Sequence, residues 1–108
     1  MAMWMKTAGQ APVQFQKLTV PITENGQAVS GKCLFNGIMV KTDGSHDITV
    51  NAYDNDEASG TQLFPDDIVF PGTSRIASVS MSPGIFCANG IYIKVSGTGG
   101  ALQVFYDD

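Results

Sequence analysis

Gly90-Ile91-Tyr92-Ile93-Lys94-Val95-Ser96, then Gly97-Thr98-Gly99-Gly100, then Ala101-Leu102-Gln103-Val104-Phe105-Tyr106 carries the clearest structural pattern of the chain. Ile91, Ile93 and Val95 alternate with Tyr92, Lys94 and Ser96, and Leu102, Val104 and Tyr106 resume the alternation beyond the glycines. A period of two sends apolar side chains to one side of an extended strand and polar ones to the other. The glycine cluster between the two runs predicts a turn, so this region reads as a closing β-hairpin.

The same grammar extends upstream. Arg75 to Met81 sets Ala77, Val79 and Met81 against Ser78 and Ser80, and Pro83-Gly84 predicts a turn after it. Ile48, Val50 and Ala52 read as inward, with Thr49, Asn51 and Tyr53 outward. Lys32 to Lys41 is apolar on both faces, Cys33, Phe35 and Met39 against Leu34, Ile38 and Val40, as expected of a strand covered on both sides, another subunit being one candidate for the second cover. The loop Thr42 to Asp47 then predicts a hairpin between this strand and the one from Ile48. Short segments follow at Gly60 to Phe64 and at Ile68 to Phe70, the latter bracketed by Pro65 and Pro71 and so an edge strand or connection. Val13 to Val20 is the first strand, with a slip of the pattern at Lys17-Leu18 that predicts a bulge or strand end, and Asn25-Gly26 reads as a turn.

One internal echo stands out. Asn36-Gly37-Ile38-Met39-Val40-Lys41-Thr42-Asp43-Gly44 returns 53 positions later as Asn89-Gly90-Ile91-Tyr92-Ile93-Lys94-Val95-Ser96-Gly97, with five of nine residues identical. It reads as two pseudo-equivalent strands, each opening a hairpin, as two Greek-key halves would supply. Twelve glycines and five prolines leave few segments longer than ten residues, and helical periodicity is absent. The expectation is an all-β chain: a single β-sandwich or jelly-roll-like domain of seven to eight short antiparallel strands over 13–108, with an extended N-terminal arm over 1–12.

Composition narrows the function. With 108 residues the chain has room for one domain, and 44% apolar residues against 15% charged ones exclude a disordered chain. Typical domains carry about 25% charge, so this surface stays wet through Ser, Thr, Asn, Gln and Gly and is easily buried against another protein. The net charge is −4, and Lys6, Lys17, Lys32, Lys41, Arg75 and Lys94 are scattered, which argues against nucleic-acid binding because that needs clustered bases on phosphates. No secretion-signal core and no run of about 18 apolar residues occurs, so neither export nor a membrane span is expected.

Chemistry is sparse. Ser45, His46 and Asp47 are contiguous, whereas a catalytic triad converges from separate elements; the loop reads as turn geometry and no enzyme is expected. Asp54-Asn55-Asp56-Glu57 and Asp66-Asp67 lack EF-hand spacing, since Ala58 and Ser59 fall where a ligand and the loop glycine belong. Two lone cysteines and one histidine fall short of a zinc site. Gly97-Thr98-Gly99-Gly100 lacks the Walker lysine and a following helix. No cofactor or metal is expected. Cys33 and Cys87, 54 positions apart, fit either two free core thiols or a sandwich disulfide, although no Trp follows Cys33 and Ile85 stands where an immunoglobulin domain has Tyr.

What remains is interaction surface. Met1, Met3, Trp4 and Met5 make an apolar tip whose thioether side chains can adapt to a neighbour's groove, and they are the candidate partner-binding residues. Tyr53, Tyr92 and Trp4 are the candidate outward aromatics for a carbohydrate-binding alternative.

From Gly31 to Tyr106 the chain resembles small β-sandwich virion structural proteins of tailed bacteriophages. The likeness is carried by Gly37-Ile38-Met39-Val40-Lys41-Thr42-Asp43-Gly44, by Ile48-Thr49-Val50-Asn51-Ala52-Tyr53-Asp54-Asn55, by Ala58-Ser59-Gly60-Thr61, and by Asn89-Gly90-Ile91-Tyr92-Ile93 with Val95-Ser96-Gly97-Thr98-Gly99. The resemblance implies a virion protein assembled in the host bacterial cytoplasm and bound in many copies to other particle proteins. A capsid decoration or cement protein on the major capsid protein is the expectation, with a neck or tail component as the alternative.

Overall fold

The structure, a computed structural model, describes residues 16–108. Among them are eight strands: β1 (Lys17–Leu18), β2 (Gly26–Ser30), β3 (Cys33–Lys41), β4 (Ile48–Tyr53), β5 (Ile68–Phe70), β6 (Ile76–Cys87), β7 (Gly90–Ser96) and β8 (Ala101–Asp107). A single 3-10 turn, Gly72–Ser74, lies between β5 and β6. Two four-stranded sheets form, ordered β1-β8-β3-β6 and β2-β7-β4-β5, with every pairing antiparallel. They close on one core, a sandwich-like all-β arrangement.

The alternation read from the sequence fills that core. Ile48, Val50 and Ala52 of β4, Ile91 and Ile93 of β7, and Leu102 and Val104 of β8 are all buried, joined by Phe35, Ile38 and Val40 of β3. Burial of such side chains contributes about 1.5–3 kcal/mol each. Leu63 and Phe64, in the connection between β4 and β5, complete the cluster, and the Phe64 ring sits 6.1 Å from that of Phe35.

Six sequence expectations are corrected. β3 and β4 are not a hairpin: β3 pairs with β6 and β8, while β4 pairs with β5 and β7 in the other sheet. Likewise β7 and β8 lie in opposite sheets, so both glycine-containing loops carry the chain across the core instead of folding it back beside itself. Alternation reports which side of a strand is buried and is silent on which strand pairs with it.

Pro83-Gly84 does not reverse the chain. β6 runs on to Cys87, and its register with β3 jumps from Gly37↔Ser80 to Phe35↔Ile85, so residues 81–84 form a bulge opposite Asn36. The same Asn36 is an extra residue against β8, where Phe35↔Tyr106 gives way to Gly37↔Phe105. This bulge changes the parity of β3, so Cys33 and Phe35 share the inward face with Ile38 and Val40, and Met39 turns outward with Leu34. Gly26 starts β2 where a turn was expected, and the Gly60 to Phe64 segment contributes only an isolated bridge, Gln62↔Tyr53.

The internal echo acquires a structural meaning. Shifting every strand label by four converts β2-β7-β4-β5 into β6-β3-β8-β1, the other sheet read from its opposite edge. The echoed residues form the later part of β3 and the whole of β7, which occupy matching inner positions and each lead across to the facing sheet. At the same offset of 53, Tyr53-Asp54 at the end of β4 returns as Tyr106-Asp107 at the end of β8.

Candidate interaction surface

In an antiparallel pair, directly opposed residues project from the same face. Because Ile38, Val40, Leu102 and Val104 point inward, the outer face of the β1-β8-β3-β6 sheet carries the opposed pairs Leu18 and Phe105, Met39 and Gln103, Lys41 and Ala101, Lys41 and Ile76, and Leu34 and Phe86. Among the described residues, six large hydrophobic side chains are exposed, and four of them, Leu18, Leu34, Ile76 and Phe86, belong to this face. Ile76 is 64% and Phe86 60% exposed. An apolar concentration of this kind on one face marks a contact surface.

That face is also the grooved one. A groove of about 170 Å3 lies between Pro21, Met39, Ile76 and Ala101. A second, of about 490 Å3, runs from Gln16 past Met39 and Phe105 to the β6 bulge at Met81 and Pro83. A third, of about 270 Å3, lies over Lys32, Cys33, Leu34 and Phe86.

The outer face of the β2-β7-β4-β5 sheet differs. Its opposed pairs are Thr49 with Ser96, Asn51 with Lys94, and Tyr53 with Tyr92. Tyr53 and Tyr92 are thus direct neighbours, but Tyr53 is only 8% exposed, so it offers no open ring for a sugar to stack on. The loop after β4 covers this part of the sheet: Asn51 Nδ2 donates to Asp67 Oδ1 at 3.0 Å, and the Asp67 N–H donates to Asn51 Oδ1 at 2.7 Å.

The carboxylates of the loops are engaged with backbone. Asp54 accepts from the N–H groups of Ala88 (3.3 Å) and Asn89 (2.9 Å), and Asp47 accepts from Gly72 N–H at 2.9 Å. Asp43 accepts from the N–H groups of Ser45 and His46 at 2.8 and 2.9 Å, and its Oδ2 meets His46 Nδ1 at 2.6 Å. The imidazole first, and the two amides after it, draw the Asp43 carboxyl down to about 2. His46 is therefore held by Asp43, three residues before it, and Ser45 contributes its amide to Asp43. Among the described residues no group of three or more His, Cys, Asp or Glu side chains converges as metal ligands would.

Met1, Met3, Trp4 and Met5, together with Val13 and Phe15 of the expected first strand, lie outside the described residues. The sequence showed β3 apolar on both sides but set Met39 on the face of Cys33 and Phe35, because the parity of β3 depends on the bulge at Asn36, and it gave no outward role to Ile76 or Phe86. Matched against protein-family models, curated proteins and solved structures, the chain finds no counterpart.

Proposed function

We propose that this protein is a structural component of a phage virion, a decoration or cement protein that docks in many copies on the capsid shell through the outer face of the β1-β8-β3-β6 sheet. The observation that carries the reading is the concentration of exposed hydrophobic side chains on one grooved face, which holds Leu18, Leu34, Ile76 and Phe86, whereas Val69 stands beside Thr49 and Ser96 on the opposite one. Such a face loses little by contact with water-excluding neighbours and gains apolar burial. Repetition over a lattice then supplies avidity beyond that of one small contact.

The strand order also fits. With β1-β8-β3-β6 facing β2-β7-β4-β5, we read the domain as a jelly roll of two Greek keys, an architecture used by viral capsid domains and by lectins. Fold alone does not assign function, and the lectin alternative is disfavoured by the covered Tyr53. The apolar segment Met1 to Met5 would add a second attachment point as an N-terminal arm.

The test is add-back of purified protein to particles that lack it. Wild-type chain should fill the shell with copies on the order of hundreds per particle, whereas occupancy of a single ring would move the role to the neck or tail. The double variant Ile76→Ser/Phe86→Ser should keep its stability within about 0.5 kcal/mol, as exposed positions do, and lose roughly tenfold or more in occupancy. Undiminished binding of that variant overturns the docking face.

A further inference from the structure

Cys33 and Cys87 stand 54 positions apart in the chain and directly opposite one another in the structure, at the shared end of β3 and β6. Both are free and buried, 4% and 0% exposed, and both belong to the inner face. Opposed residues on antiparallel strands have Cα atoms about 4.5–5.5 Å apart, inside the range of about 4.4–6.8 Å that a disulfide spans. Cys33 keeps a trace of exposure and borders the groove with Lys32, Leu34 and Phe86, while Cys87 has none, its Sγ 3.6 Å from the Ile85 carbonyl oxygen.

We propose that Cys33 and Cys87 form a redox modification site, at which a small-molecule disulfide such as oxidised glutathione converts the two thiols into a cross-strand bond tying β3 to β6. Cys33, the less buried of the two, attacks one sulfur of the oxidant as its thiolate; the oxidant's S–S bond breaks and its first thiol leaves with a proton from solvent. Cys87, giving up its proton, then attacks Cys33 Sγ in the mixed disulfide and expels the second oxidant thiol, which takes up a proton. Two electrons pass from the protein thiols to the oxidant, and its two thiols are the only other product.

Burial sets the speed of this exchange. Desolvation, first among the causes in each, pushes the pKa of both thiols up and carries that of Cys87 to about 12. Thiolate is scarce at neutral pH, so the pair closes slowly and, once closed, is shielded from reduction. The pair therefore stays as thiols where glutathione is reduced and closes after transfer to an oxidising medium. This inference stands on the β3–β6 register and does not depend on the virion reading.

The experiment uses the full chain, purified under reductant and then held with oxidised glutathione, both folded and during refolding from denaturant. The expected product is a monomer lighter by two hydrogens, with no titratable thiol after denaturation. Its Tm should rise by roughly 10 °C or more, since the bond closes a long loop in the unfolded chain, and reductant should reverse the rise. Cys87→Ala should stop at a single glutathione adduct on Cys33. Two stable adducts per chain, thiols that persist even after refolding with oxidant, a cross-linked dimer, or a closed form with a lower Tm would each overturn the proposal.

Discussion

Gly37 and Gly90 occupy matching places in the two sheets. Their φ angles are 136° and 102°, and a Cβ on either would overlap a carbonyl oxygen of the adjacent edge strand, Val79 O on β6 and Val29 O on β2. Gly37 is opposed by Ser80 and Gly90 by Ser30, so each glycine presses on the valine that precedes its partner serine. These are the corresponding contacts under the four-strand shift that exchanges the sheets, and they turn the repeated Asn-Gly into a shared backbone requirement.

Gly37→Ala and Gly90→Ala should therefore each destabilise the domain by about 2 kcal/mol or more, through positive-φ strain and backbone overlap together. Urea unfolding of the two variants checks this. An effect confined to one of them would show that the two sites are not equivalent in energy.

Thr42, buried at the start of the β3–β4 crossing loop, donates from Oγ1 to the Gly72 carbonyl at 2.6 Å and accepts from Gly44 N–H at 3.2 Å. It fastens the crossing to the 3-10 turn before β6, as does its own amide, which donates to Arg75 O. Thr42→Val keeps the shape and strands both partners, so a loss of about 1–3 kcal/mol is expected in chemical denaturation.

Asp43 gives the fold an acid-sensitive element. Its carboxyl is lowered from 3.8 to about 2 by His46 and the two loop amides, so the carboxylate form is favoured by folding. The resulting stabilisation is present above the unfolded value and disappears as pH falls through about 2. Asp43→Asn should show a shallower decline of Tm on acidification across that window than the wild type.

At the alkaline end the cysteines act in the opposite direction. Cys87 is raised from 9.0 to about 12, chiefly by burial, so the folded state disfavours its thiolate. The reduced protein should keep this contribution below about pH 9 and lose stability as pH climbs towards 12. Cys33→Ala/Cys87→Ala should flatten that loss in thermal melts recorded across the same range.

The β class, the approximate strands and much of the core were legible because alternation of Ile48, Val50, Ile91, Ile93, Leu102 and Val104 is a local property of an extended chain. The Asn36-Gly37 echo was legible too, and it marks a repeated arrangement. The sequence assigned both glycine loops to hairpins, since a turn between two alternating runs looks the same whether the second strand lies beside the first or across the core from it.

Side-chain polarity at a period of two thus specifies, from the chain alone, what must be extended and what must be buried. Which strands pair, that Asn36 inserts a bulge and sends Met39 outward, and that Leu34, Ile76 and Phe86 share one face are set by the assembled sheets. They alone bring Cys33 opposite Cys87. Pairing and register depend on contacts between residues far apart in the chain, whose energies are summed over whole sheets, and no short window of sequence contains them.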